Sequence, residues 1–434
     1  VNAFVKKPWL LVGKRGVAAA PPTLSLDFTV PGTLPPNVVF TRASVGTYFD
    51  IAGALQTASA NTPRWDYDPV TLALRGVLME TARTNSIKNS MMTGAVAGSP
   101  GTDPTGWSAA TVGGLTKTIV GTGTENGIAY IDYRFNAASG TGGNLNFIFT
   151  PTTAGSIPAS SGQVYTMSLY LAFKAGSTSG INPFTVKINQ WDSGSVSLGA
   201  QTSSAFGLAP FLIGDPLTKI RIASTFAATP ANTAFIQPFL QLPTAAGAID
   251  FTLRIGAPQT ELGAFASSFI PTSTVAVTRA VEHCSLTDAV MFGGTTDRTI
   301  MAEVWAMQTV LVSHLMSLDD GTANNYLRWY CPVGPPIRAS AVVAGTTRLP
   351  AGEVNPGTRP LVVKAALANG AVVNGAVNGV TMTANGTASV QLGPVTTLHC
   401  GETFNGTQQL DGAIRRVSYW NTALSNAALR SVTT

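Results

Sequence analysis

Between residues 107 and 280 the apolar side chains recur at every second position, and this period constrains the fold more than any other feature of the chain. In VYTMSLYLAF, Tyr165, Met167, Leu169, Leu171 and Phe173 fall on one face, opposite Thr166, Ser168 and Tyr170. Phe147 and Phe149, then Phe184, Val186 and Ile188, then Ile220 and Ile222 repeat the pattern. In IDFTLRIGA, Ile249, Phe251, Leu253 and Ile255 turn inward while Asp250, Thr252 and Arg254 turn out. Successive side chains of a strand point to opposite faces, so this alternation predicts antiparallel strands with one buried side. Several of them between turn signals predict a jelly roll or sandwich over 91–280.

After VTRAVEHCS the pattern restarts, which predicts a second sandwich over 281–434. TIMAEVWAM alternates, and four Asn-Gly pairs follow at 369–370, 374–375, 378–379 and 385–386. Asn-Gly between apolar alternators is a hairpin signal because both residues tolerate positive φ. In DGAIRRVSYW, Ala413, Arg415, Val417 and Tyr419 alternate with Ile414, Arg416, Ser418 and Trp420. Ser425 is suited to cap one short helix, Asn426–Val432.

A chain of 434 residues exceeds one ordinary core, so several domains are expected. It is 45% hydrophobic and only 11% charged, which leaves too few charges for long solvated helices. The expected class is all-β: two antiparallel β-sandwich domains, preceded by an extended arm (1–22) and a small connector domain (23–90). The net charge of +5 is mild, and its densest cluster is Lys6, Lys7, Lys14 and Arg15. That cluster reads either as a solvated arm or as an anchor that becomes ordered on an acidic partner surface. No basic stripe interleaved with aromatics points to nucleic acid. No apolar run reaches membrane-spanning length, and no signal peptide is expected. Cys284, Cys331 and Cys400 are too few, and odd in number, for a disulfide framework; a reducing folding compartment is expected.

The densest chemistry lies in RWDYDP, residues 64–69. Alternation places Asp66 and Asp68 on one side, Trp65 and Tyr67 on the other. Two residues apart on a strand is about 7 Å, a spacing that an inverting glycosidase could use. Four arginines lie nearby, however, and are expected to lower the carboxyl pKa values, whereas a general acid needs its pKa raised. Arg64, Asp66, Asp68, Arg75, Glu80 and Arg83 are therefore read as structural ion pairs, with no catalytic residue assigned. His283-Cys284 and His399-Cys400 lack zinc spacing. The oxygen-rich turn at 319–325 makes Asp319, Asp320 and Asn324 the candidate Ca²⁺ ligands, with plain turn chemistry as the competing reading. No other cofactor is expected. Aromatics that could stack on sugar rings are Trp107, Trp191, Trp329 and Trp420, with core or strand packing as the competing reading for each. Trp191, followed by Asp192 and turn formers, is the foremost of these, and Trp107, Trp191 and Asp192 form the candidate glycan site.

Three segments resemble known families. FTRASVGTYFDIAGALQTASANTPRWDYDP, followed by RGVLMETARTN, resembles a module of tailed-bacteriophage virion proteins. QTELGAFASSFIPTSTVAVTRA resembles the close of the carbohydrate-binding-like jelly roll that follows it there. DGAIRRVSYWNTALS is similar to the last strand of laminin-G/concanavalin-like sandwiches. The resemblance implies a virion component, such as a tail fibre, spike or capsid fibre, made in the host cytoplasm. It also implies a homo-oligomer, a trimer or other cyclic assembly, held to other virion proteins by the arm and binding host surface polysaccharide. The chain lacks the long β-helical or coiled-coil shaft of a full fibre. A capsule depolymerase and a free lectin-like module are the competing classes.

Overall fold

The computed structural model describes residues 19–434 apart from 151–156, 295–296, 307–310, 335, 358–360, 384–386 and 389–391. Lys6, Lys7, Lys14 and Arg15 lie outside the described residues. The described chain is all-β, with antiparallel sheets and short helices at Ala289–Gly293 and Asn426–Thr433. Ser425 accepts from the Ala428 amide and caps the second helix. Among the described residues, no helix is long and apolar enough to cross a membrane.

The first sandwich is one nine-stranded ladder folded over on itself. Its spine is two long strands, Ile128–Ile148 and Phe235–Leu262, paired with each other along most of their length. Phe135 and Phe147, twelve positions apart, would lie about 40 Å apart on a straight strand. Their rings stand 5.8 Å apart, so the strand doubles back. The corner is a register shift between Ala137 and Gly140, opposite Gly247, whose φ is +126°. Side-chain-free residues tolerate that bend. The inward sets expected from alternation meet in one core: Tyr165, Met167, Leu169, Leu171 and Phe173 with Val186, Ile188, Phe251 and Leu253. The opposite face of Tyr165–Gly176 is buried too, because Tyr170 and Ala172 are covered by Phe49, Leu55 and Phe269.

The second sandwich draws strands from both ends of the chain. One sheet runs, in spatial order, through Val380–Thr381, Val372–Val377, Leu361–Asn369, Arg298–Ala306, Gly412–Trp420, Leu74–Met79 and Trp65–Tyr67, with Leu24–Asp27 also on Gly412–Trp420. The facing sheet runs Val39–Thr41, His283–Thr287, Thr397–Cys400, Ser313–Asp319, Tyr326–Cys331, Ile337–Val343 and Thr346–Val354. Residues 23–90 thus supply four strands to these two sheets. Phe28, Phe40, Val77 and Met79 share a core with Ile300, Trp329, Leu398 and Tyr419. A local sequence pattern cannot show this, because strand partners more than 300 residues apart leave no periodic trace.

The Asn-Gly signals divide. Asn378-Gly379, both at positive φ, makes the two-residue turn between Val372–Val377 and Val380–Thr381. Asn369-Gly370 opens the preceding hairpin. Asn374-Gly375 is no turn: it lies within Val372–Val377, where a Cβ on Gly375 would stand 3.0 Å from the Trp329 ring. Asn385-Gly386 lies outside the described residues. In Gly412–Trp420 a bulge inserts Arg415, since Glu303 faces Arg416 and Val304 faces Ile414. Ile414, Val417 and Tyr419 therefore all reach the core.

Candidate functional site

The charges of residues 40–85 gather where the two sandwiches meet. Arg64 is fully buried and donates to five acceptors: Glu282 from Nε (2.8 Å) and Nη2 (2.6 Å), Glu80 (2.7 Å), Thr47 O (2.7 Å) and Ser268 Oγ (2.7 Å). Arg42 donates to Glu282 at 2.9 Å and to the carbonyls of Ser44, Thr62, Ala58 and Ser59. Arg279 stands 3.1 Å from Glu80 and donates to Thr81 O. Burial would raise the Glu80 carboxyl, but Arg279, Arg64 and the Ser268 donors hold it well below the usual carboxylate range. Arg42, Arg279 and Glu282 were not singled out by the sequence reading as site residues. Their signal is a glutamate placed after the Val277–Arg279 strand, legible only once Arg83–Asn85 pairs with it.

Beside this network a cleft of roughly 270 Å³ opens between the sandwiches. Asp66, Asp68, Arg75 and Trp305 line one wall, Tyr170, Lys219 and Arg221 the other. Arg75 bridges the carboxylates, Nη1 to Asp66 and Nη2 to Asp68, both at 2.8 Å, and lies 4.3 Å from the Trp305 ring centre. The expectation that arginines lower both carboxyls needs correction. Burial pushes Asp66 up and outweighs Arg75 and the Phe49 amide. Asp68 is lowered, because the Thr71 and Val70 amides with Arg75 overcome its slighter burial. Each Asp66 oxygen already accepts a bond, Oδ1 from Phe49 N at 2.9 Å and Oδ2 from Arg75. Arg83 joins no ion pair among the described residues. It donates to Leu262 O and stacks 4.6 Å from the Phe265 ring, because its strand carries it to the jelly-roll side.

Trp107 is 8% exposed, donates its indole N–H to Asn89 O and packs edge-on to Phe149, so its ring cannot receive a sugar. Trp329 and Trp420 are likewise buried. Trp191 is half-buried on the outer face of the jelly roll. Cross-strand register puts it beside Phe235, with Asn189 beside Gln237, Lys187 beside Phe239 and Gln241 beside Asn146. Asn189 donates to Gln237 (3.3 Å) and Gln241 to Asn146 (2.9 Å). Asp192 closes the adjoining turn, accepting from the amides of Gly194 and Val196.

The 319–325 loop spends its oxygens locally. Asp319 is buried and accepts from Ser317 Oγ and Gly321 N; Asp320 accepts from Thr322 and Asn325; Asn324 is exposed. These residues do not fit a Ca²⁺ shell, and no cluster of three or more His, Cys, Asp or Glu among the described residues could hold a metal. His283 and His399 instead converge on Glu402, at 2.7 and 3.5 Å, and His399 also faces Asp319 at 3.5 Å. Burial disfavours the imidazolium, but Asp319 and Glu402 outweigh it and push His399 up to about 9.

Fold and junction together define a class: an all-β protein of antiparallel sandwiches joined by a buried arginine–glutamate network. No protein-family model matches the chain, and no curated protein matches it. Among solved structures it is similar to the Ruminococcus gnavus IT-sialidase CBM40, at 17% identity over 32% of this chain and 83% of that one, with TM-score 0.27. It is also similar to a Trypanosoma rangeli sialidase in complex with the inhibitor DANA, at 9% identity over 74% of this chain and 66% of that one, with TM-score 0.29. A heptameric SAP-like pentraxin from Limulus polyphemus matches 32% of this chain and 70% of its own, at 11% identity and TM-score 0.25. Likeness this distant assigns no function.

Proposed function

We propose that the protein is a non-catalytic, glycan-binding structural component of a phage or phage-like particle, a fibre, spike or vertex decoration. The observation that carries the glycan reading is the outer jelly-roll face. There, the half-buried Trp191 and Phe235 rings sit side by side at one end of a row that also carries the partly exposed side-chain amides of Asn189, Gln241 and Asn146. Rings match the C–H faces of sugars, and amides both donate to and accept from hydroxyls. The particle reading draws on the resemblance of residues 40–85 and 259–280 to virion modules. As such a component the chain assembles as a homo-oligomer, and the rigid junction holds both sandwiches in one presentation.

One observation favours a depolymerase as the second reading. Asp66 and Asp68, neighbours in a cleft, are pushed in opposite directions, as acid and base partners are. Against it, an acid must present its proton to the substrate, and both Asp66 oxygens already face donors. The test is incubation with host capsular polysaccharide. Retention on the polysaccharide, lost in Trp191→Ala and kept in Asp66→Asn, is expected. Steady release of reducing ends that stops in Asp66→Asn would overturn the non-catalytic reading. The particle reading is checked separately, by whether the chain co-sediments with intact virions.

A further inference from the structure

The jelly-roll wall of the cleft carries a cation with no counter-ion. Ile220 is extended and packs against the jelly-roll core, so its neighbours Lys219 and Arg221 both turn outward, and both line the cleft. Tyr170 is the cross-strand partner of Arg221, and its ring centre lies 5.7 Å from the guanidinium carbon. Arg221 Nη2 donates to Ser168 Oγ at 2.9 Å and to Ser267 O at 2.8 Å, which fixes the plane of the guanidinium. Nη1 makes no hydrogen bond with a described residue. Around it, Arg42, Arg64, Arg75 and Arg279 all pair with carboxylates, and Lys219 pairs with Asp215 at 2.7 Å. Half-buried Arg221 pairs with none among the described residues. We propose that the cleft binds one acidic sugar residue, a hexuronate, with its carboxylate on Arg221 and its ring hydroxyls toward Asp68; that the ligand is a saccharide rests on the function proposed above.

The two walls choose this ligand between them. A partly desolvated guanidinium without a counter-ion is costly, and a carboxylate restores the lost solvation through a charge-assisted bond. Lys219 adds the ammonium protons that Asp215 does not use. On the opposite wall Arg75 bridges Asp66 and Asp68, so those three groups together carry at most one net negative charge. The Asp68 side chain is 31% exposed. Against its slight burial, the Thr71 and Val70 amides with Arg75 keep it anionic, able to accept from hydroxyls and hostile to a second anion. A ligand that fits both walls is acidic at one edge and hydroxylated at the other. An acidic peptide offers Asp68 no hydroxyl and sets further carboxylates against it. The volume of roughly 270 Å³ lies just under the range of about 300–1,000 Å³ typical of drug-sized ligands, which suits one sugar residue.

The test is isothermal titration calorimetry on the full chain with tetragalacturonate, a neutral galactose tetramer and tetraglutamate. Short ligands are used because a polymer would bridge the cleft and the Trp191 face. Tetragalacturonate is expected to bind, more weakly as salt is raised, and to lose at least about tenfold in affinity in Arg221→Gln. Arg221 also ties Ser168 to Ser267, so a second position leaves those contacts alone. Val70, 57% exposed, lines the cleft, and only its backbone amide bonds Asp68. Val70→Glu is expected to weaken tetragalacturonate binding about two- to fivefold and Val70→Lys to strengthen it by a similar factor. Trp191→Ala is expected to leave cleft binding unchanged. Loss of neutral-tetramer binding in Trp191→Ala supports the outer-face reading, and its persistence defeats that reading alone. The cleft assignment is overturned if tetragalacturonate does not bind, if its binding ignores Arg221→Gln, if both Val70 variants shift it the same way, or if tetraglutamate binds more tightly.

Discussion

Arg64 and Glu282 lie 218 positions apart in sequence and meet through two parallel hydrogen bonds of 2.8 and 2.6 Å, both side chains wholly buried. The pair lies at the base of the segment that links the sandwiches. Thr47 belongs to the Gly46–Phe49/Leu55–Ala58 hairpin, Ser268 to the end of the jelly roll and Glu80 to the second sandwich, and all three bond to the same guanidinium. A bidentate arginine fixes distance and orientation together, which a lysine could not.

Removing one partner of a buried, hydrogen-bonded charge set leaves the rest desolvated without compensation. Glu282→Gln is therefore expected to destabilise the chain by about 3–5 kcal/mol. Because the network spans both sandwiches, the denaturant transition should also split into two steps. An unchanged midpoint with one transition would show that the network contributes no coupling.

The hairpin docks on the jelly roll through close backbone approach. Leu55 N donates to Asn126 O at 2.8 Å, and a Cβ built on Gly127 would stand 2.1 Å from Leu55 O, at a φ of +76°. Gly127→Ala is expected to cost about 1–3 kcal/mol, read as a lower thermal midpoint. Gly121→Ala, with open space around its Cβ, is the control and should change stability by less than about 1 kcal/mol.

Asp411 is buried with its carboxylate accepting from Thr81 N (2.8 Å) and Thr81 Oγ1 (3.0 Å); burial, reinforced by Glu80, pushes it up to about 6 from an ordinary 3.8. The folded protein therefore holds a proton between about pH 4 and 6 that the unfolded chain has released. Stability falls as pH rises through that window, by up to about 3 kcal/mol, and stays lower above it. Asp411→Asn keeps the acceptor and suits the φ of +47° at this position. It should raise the unfolding free energy at pH 7.5 by up to about 3 kcal/mol and leave it nearly unchanged at pH 4. A gain of equal size at both pH values would place its origin elsewhere.

What the sequence determined by itself was everything governed by local period and local turn chemistry. The all-β class follows from Tyr165 to Phe173 and Ile249 to Ile255, the capped helix from Ser425, and the hairpin turn from Asn378-Gly379. Alternation also separated Asp66 and Asp68 from Trp65 and Tyr67. Tertiary structure alone decided which strands pair and which polar groups lose their water. Leu24–Asp27 and Gly412–Trp420 share a ladder, Trp107 packs inward, Arg83 leaves the ion-pair set, and Asp66 rises while Asp68 falls. Desolvation and strand partnership depend on atoms hundreds of residues away. A period of two fixes which side of a strand a residue occupies; what covers that side is set by the rest of the chain.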